Sequence, residues 1–160
     1  MMRSLRDILI ILTSVSVLSM MLSSCCEPSV SDRFIKKSKA KDGSRYDFEL
    51  VLSDSTSLYD LTLYTRLNCT PRQFAAMEDG FGVGAVWTSP DSLEYREVFY
   101  IPKAAFVRDS FYSRSASMPY RRALKPAKTG IWTLSLIMLE GTPEFMDGLG
   151  LNCRKYQENF

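Results

Sequence analysis

Between residues 46 and 52 large apolar side chains alternate with acidic ones, Tyr46, Phe48, Leu50 and Leu52 on one side and Asp47 and Glu49 on the other. A period of two is the mark of a strand with one wet face. Residues 58–67 repeat it, with Tyr59, Leu61, Leu63, Thr65 and Leu67 on one face. The serine-rich residues 53–57 supply a turn, so the two runs read as an antiparallel pair. Further strands are expected at 84–89, 92–101, 129–139 and 148–156, while helical spacing is confined to 72–79, just after Pro71. Short strands separated by Gly, Pro and Ser predict an all-β fold, a single jelly-roll-like β-sandwich over residues 46–160. The run 129–139 carries bulk on both faces, Ile131 and Ile137 against Trp132, Leu134, Leu136 and Met138. It is expected to be a central strand buried on both sides, with Trp132 in the core.

The first residues follow another pattern. Arg3 and Arg6 precede an apolar stretch from Ile8 to Leu22, interrupted by Thr13, Ser14, Ser16 and Ser19. A membrane-spanning helix needs about 20 apolar residues, and this run is too short and too polar; it has the shape of a secretory signal. Leu22-Ser23-Ser24-Cys25 resembles a bacterial lipobox. The expectation is a signal peptide at 1–24, lipidation of Cys25, and attachment to the outer membrane through that lipid. Two or more acyl chains hold a protein on a membrane for good. Only Glu27 supplies an acid directly after Cys25 and Cys26, which points to a periplasm-facing protein. Residues 25–45 contain Arg33, Lys36, Lys37, Lys39, Lys41 and Arg45 against few apolar groups and read as a basic, solvated tether.

The total formal charge of +2 decides little, but its distribution marks a second basic stretch at 108–128. There Arg108, Arg114, Arg121 and Arg122 interleave with Phe111, Tyr112 and Tyr120. Arg108, Arg114, Tyr120, Arg121 and Arg122 are the candidate partner contacts; the alternative is a long mobile loop kept wet by its charges. An envelope address excludes nucleic acid as a natural partner and leaves envelope proteins or a glycan.

Cys69 and Cys153 form the remaining cysteine pair. They either bridge, as export permits, closing a long loop for about 4–5 kcal/mol of stabilisation, or stay buried as free thiols. Two cysteines without a histidine make a poor zinc site, so no metal is expected. The chain has no histidine at all, which excludes Ser-His-Asp and Cys-His hydrolases. Carboxylates such as Asp91, Glu94, Glu97 and Glu144 cannot be paired from sequence, and the Gly80–Ala85 stretch GFGVGA lacks a P-loop lysine. The expectation is a protein that is not an enzyme and carries no cofactor.

Tyr46, Phe48, Leu50, Asp54, Tyr59, Leu61, Leu63 and Arg66 at the front, with Gly130, Trp132, Leu134, Leu136, Met138 and the DGLGL run from Asp147 to Leu151 at the back, resemble the GldH-type gliding-motility lipoproteins of Bacteroidetes. The resemblance covers about half of the mature chain and carries over no catalytic residues. It implies a non-enzymatic envelope lipoprotein, an accessory or structural subunit of a gliding-motility or secretion-type assembly. The second expectation is a glycan-binding module, gripping its ligand through residues 108–128 or through Tyr95 and Phe99.

Overall fold

A computed structural model describes residues 29–156 of the chain. The signal peptide, Cys25 and Cys26 lie outside the described residues. The strands are β1 (Ser29–Lys36), β2 (Arg45–Leu52), β3 (Leu58–Asn68), β4 (Gly80–Thr88), β5 (Glu94–Pro102), β6 (Phe106–Arg108), β7 (Ser113–Leu124), β8 (Gly130–Met138) and β9 (Met146–Tyr156). They form two sheets, ordered β1-β9-β3-β7-β6 and β2-β8-β4-β5, in which every pairing is antiparallel. The all-β sandwich read from the alternation is the fold.

The inward faces are the apolar ones. Tyr46, Phe48, Leu50 and Leu52 on β2 meet Leu134, Leu136 and Met138 on β8 in one sheet, opposite Leu61, Leu63, Leu149 and Leu151 on β3 and β9 in the other. Each such side chain removed from water contributes about 1.5–3 kcal/mol. The strands share two ends. The basal end is where β1, β3, β5 and β8 begin and β2, β4, β7 and β9 finish, and the apical end lies opposite.

Several expectations are corrected. β2 and β3 are not a hairpin pair, because loop 53–57 carries the chain from one sheet to the other. Asp54 sets that crossing by accepting from the backbone N–H of Thr56 (2.8 Å) and the hydroxyls of Thr56 (2.6 Å) and Ser57 (2.7 Å). Two apolar faces that could lie side by side instead face each other across the core. The basic tether is also shorter than expected, since β1 pairs with β9 from Ser29 to Lys36. An edge strand is held by its backbone ladder and needs few apolar side chains. Here Ile35 points inward, while Phe34 stacks on Tyr64 outside at 5.9 Å between ring centroids.

Residues 108–128 are largely ordered strand rather than loop, with β7 pairing along β3 through a bulge around Leu61 and Thr62. Nor is β8 buried on both faces. Ile131 is 59% exposed, and the outer side of the strand is sealed only at Ser135, whose hydroxyl accepts from Arg45 at 3.0 Å. The short helix, α1 (Pro71–Ala76), takes Pro71 as its first residue and ends before the expected 79, with Thr70 and Gln73 forming a reciprocal cap.

Two glycines of the DGLGL run have physical reasons. A Cβ on Gly148 would stand 2.1 Å from the Ile35 carbonyl oxygen and 2.9 Å from Lys36 Cα, both backbone atoms of β1. One on Gly150 would enter the ring of Tyr64 at 2.3 Å. Backbone cannot step aside as a side chain tip can. Gly148→Ala is expected to destabilise the fold by about 1–3 kcal/mol in urea unfolding. Gly82→Ala, whose new methyl would meet only the Leu139 side chain at 3.3 Å, should cost less than half of that. Equal effects would show that β1 does not pack as described.

Candidate functional site

The five candidate contact residues do not form one surface. Arg108 and Arg114 lie opposite each other at the apical end, while Tyr120, Arg121 and Arg122 sit at the basal end of β7. Eight residues of extended chain between Arg114 and Arg122 amount to about 27 Å. Arg114 is occupied locally, its guanidinium lying 4.1 Å from the ring centroid of Phe74. Its Nε is buried with no hydrogen-bond partner. Arg108 donates to the Ser110 carbonyl at 3.2 Å and lies over Phe111.

The basal group builds something larger. Strand alternation places Tyr95, Glu97, Phe99 and Ile101 of β5 on the inward face, and β5 is the edge of its sheet. Across the gap the bulged end of β7 presents Tyr120 and Arg121. The rings form a chain: Phe99 against Tyr120 (5.0 Å), Tyr120 stacked on Trp87 (6.1 Å, 9°), Trp87 edge-on to Trp132 (6.2 Å), and Trp132 stacked on Tyr95 (6.4 Å). Trp87 and Trp132 are 8% exposed, whereas Tyr95 is 54% exposed. The chain of rings therefore runs from the core to solvent. Tyr95, Trp87 and Trp132, with Arg121, Arg122 and Lys125, line a cleft of about 440 Å³ closed on one side by the 123–127 segment.

Glu97 fixes this arrangement. Its Oε1 accepts from the Tyr120 hydroxyl and from Trp87 Nε1 (3.3 Å), and its Oε2 pairs with Arg121. Trp87 Nε1 also donates to the Tyr120 oxygen at 2.9 Å. A carboxylate placed in an inter-sheet gap must be paired and hydrogen-bonded, and here both oxygens are engaged. Trp132 is anchored separately, its Nε1 donating to the Lys128 carbonyl at 2.9 Å. Lys128 in turn pairs with Asp91, which accepts from Ser89 at 2.6 Å. Of the other carboxylates considered, Glu94 pairs with Arg96 at 2.8 Å, and Glu144 is exposed at the apical end. The chemistry available at the cleft is thus stacking on Tyr95 and cationic contact from its arginine and lysine rim.

A larger depression, about 700 Å³, lies on the outer face of the five-stranded sheet between Phe34, Tyr64, Arg66 and Ser117. Besides the Phe34–Tyr64 stack it is lined by small residues and by Lys36, Arg66 and Asp147. The smaller basal cleft joins aromatic and charged groups through a fixed carboxylate, which makes it the better-built site.

Trp87 reaches Glu97 from the neighbouring strand β4 of the same sheet, but its contact with Tyr120 crosses between sheets and was not visible in the sequence. Trp132 is in the core as expected, with the cleft against it. The disulfide between Cys69 and Cys153 is not formed: both are buried free thiols. Cys153 lies opposite Leu61, while Cys69 follows the last residue of β3, about 27 Å further along the strand. A disulfide spans at most about 7 Å between Cα atoms. Burial, with Asp60 nearby, pushes the Cys153 thiol up to about 11.

Burial and the Glu97 hydrogen bond raise the Tyr120 phenol above its ordinary value, with Trp87 and Arg121 opposing. The folded state thus favours the neutral phenol. Its contribution is complete below the unfolded value of about 10 and is lost as pH rises from there toward the folded value. Tyr120→Phe is expected to cost about 1–2 kcal/mol near neutrality. It should also reduce the fall in melting temperature above about pH 10, measured by circular dichroism. An unchanged alkaline slope would disconnect Tyr120 from the network.

No family model matches the chain, and no curated protein does. Among solved structures, the chain is similar to TmCBM61 in complex with β-1,4-galactotriose, at 9% identity over 79% of this chain and 69% of that one, with a TM-score of 0.33. It is also similar to a protein of Sulfurospirillum deleyianum, at 10% identity over 82% of this chain and 99% of that one, with a TM-score of 0.38.

Proposed function

We propose that this chain is a non-enzymatic lipoprotein of the bacterial envelope, anchored on the outer membrane through Cys25, whose basal cleft binds a glycan bearing acidic groups. The observation that carries the reading is the exposed ring of Tyr95, which ends a chain of rings fixed from below and stands beside the free rim of Arg122 and Lys125. A sugar ring stacks on a fixed aromatic face with little ordering cost, and carboxylate, sulfate or phosphate substituents suit an arginine fork. Glu97, which holds the rings of the cleft, supports a binding role over a catalytic one, since its two oxygens already engage Tyr120, Trp87 and Arg121.

Titration calorimetry against a panel of acidic and neutral polysaccharides tests this. Binding is expected only to acidic ones, weakening with salt, and falling about tenfold, or 1.4 kcal/mol, in each of Tyr95→Ala and Arg122→Ala. Binding unaffected by both substitutions, or absent across the panel, would end the glycan reading. Loss of membrane attachment in Cys25→Ala tests the anchor independently.

A second reading, an accessory subunit of a gliding-motility or secretion-type assembly, draws on a different surface. Val98 and Tyr100 of β5 are 70% and 50% exposed on the outer face. Leu139, 55% exposed, lies beside them over Gly82 and Gly84. Crosslinking in the native host should recover envelope assembly components, and Val98→Glu should abolish that recovery while leaving glycan binding intact.

A further inference from the structure

The anchor and the fold together restrict how this domain sits. β1 begins at the basal end, where Ser29 lies opposite Arg154 of β9. Three residues separate Ser29 from Cys25, and the four steps from one to the other span at most about 14 Å. A lipid on Cys25 therefore keeps the basal end, and with it the mouth of the cleft, close to the bilayer.

The charges at that end are suited to the meeting. Arg121, Lys128, Lys155 and Arg96 are each paired, with Glu97, Asp91, Asp54 and Glu94 respectively. Asp60 accepts from the Ala123 N–H (2.8 Å) and from the Tyr156 hydroxyl (3.3 Å). Arg122, Lys125 and Arg154 are exposed and pair with no carboxylate among the described residues. Asp60 keeps its charge and lies across from Arg154, so the three cations outnumber it and the net charge of the basal rim is positive. Three cations within a Debye length of a negative surface favour the orientation that brings them to it.

We infer that the basal end docks on an anionic lipid surface, with Arg122, Lys125 and Arg154 among headgroup phosphates, so that the cleft faces the membrane and takes a ligand displayed there. The inference rests on the lipid anchor of the proposed function. It does not depend on which ligand fills the cleft.

The chain's two tryptophans both line the basal cleft, so they are built-in probes of its distance from headgroups. The full-length lipidated protein is reconstituted, without glycan, in phosphatidylcholine vesicles and in phosphatidylcholine–phosphatidylglycerol vesicles, each with a trace of headgroup-dansylated lipid. Tryptophan-to-dansyl energy transfer is expected to be about twofold stronger on the anionic vesicles and to return to the neutral-vesicle value in high salt. The triple variant Arg122→Glu, Lys125→Glu, Arg154→Glu should lose that gain while still floating with the vesicles and melting as the parent does. Transfer that is the same on both vesicles, or indifferent to charge reversal, would overturn the docking while leaving the anchor in place. Protein that fails to float overturns the anchor and the docking with it, and either result is separable from the polysaccharide titration.

Discussion

The gap between the two sheets is the constraint on which everything else depends. The inward positions of β2, β3, β8 and β9 are mostly large apolar groups that must leave water, and neither sheet can hide its own face. Only the other sheet can cover it. That requirement sends loop 53–57 and residues 125–129 across from one sheet to the other at the basal end, while residues 89–93 close the β4–β5 hairpin within one sheet. It also means that a polar group on an inward position has to bring its partners with it. Glu97 is that exception. It occupies an inward site on the edge strand β5, and Tyr120, Trp87 and Arg121 converge on it from both sheets. The cleft exists because the apolar gap ends there and a polar network begins.

The same constraint explains what could be read along the chain. Strands whose inward face is wholly apolar announce themselves by alternation, as Tyr46, Phe48, Leu50 and Leu52 do, and so does Leu61 with Leu63. Pairing is not legible in the same way. Two strands with one apolar face each satisfy the core equally well side by side or face to face, so β2 and β3 looked like a hairpin and are partners across the gap. β1 and β7 were missed for another reason. Near the sheet edge, backbone bonding holds a strand whose side chains look like a linker's. Pro119, which has no N–H for a ladder, sits in β7 where the pairing with β3 is broken by a bulge.

The candidate site was half legible. Tyr120, Arg121 and Arg122 were singled out by composition, yet their grouping with Arg108 and Arg114 failed because β7 is extended, and extension separates what sequence proximity joins. Trp87 and Glu97 enter the site through a contact between sheets, which alternation on one strand does not reveal. The cysteines teach the same lesson in reverse. Cys69 and Cys153 are the right residue types for a bridge, but register fixes them near opposite ends of one sheet. Gly148 and Gly150 gain meaning only from their neighbours, the β1 backbone and the Tyr64 ring, which lie far away along the chain.

The position of β1 finally bears on how the two surfaces of this domain divide their work. With the lipid anchor proposed at Cys25, a strand that begins at the basal end within four residues of it would tie that end to the membrane, leaving the outer face of the β2-β8-β4-β5 sheet turned sideways. Val98, Tyr100 and Leu139 then face neighbours in the plane of the membrane, where a protein partner would approach, while Tyr95 and Arg122 face the surface below. A partner on the side and a ligand from beneath do not compete for space. Had β1 run in the opposite direction, the anchor would have held α1 against the bilayer and opened the cleft outward. The direction of one edge strand, hidden in what reads as a basic tether, sets which way the site looks.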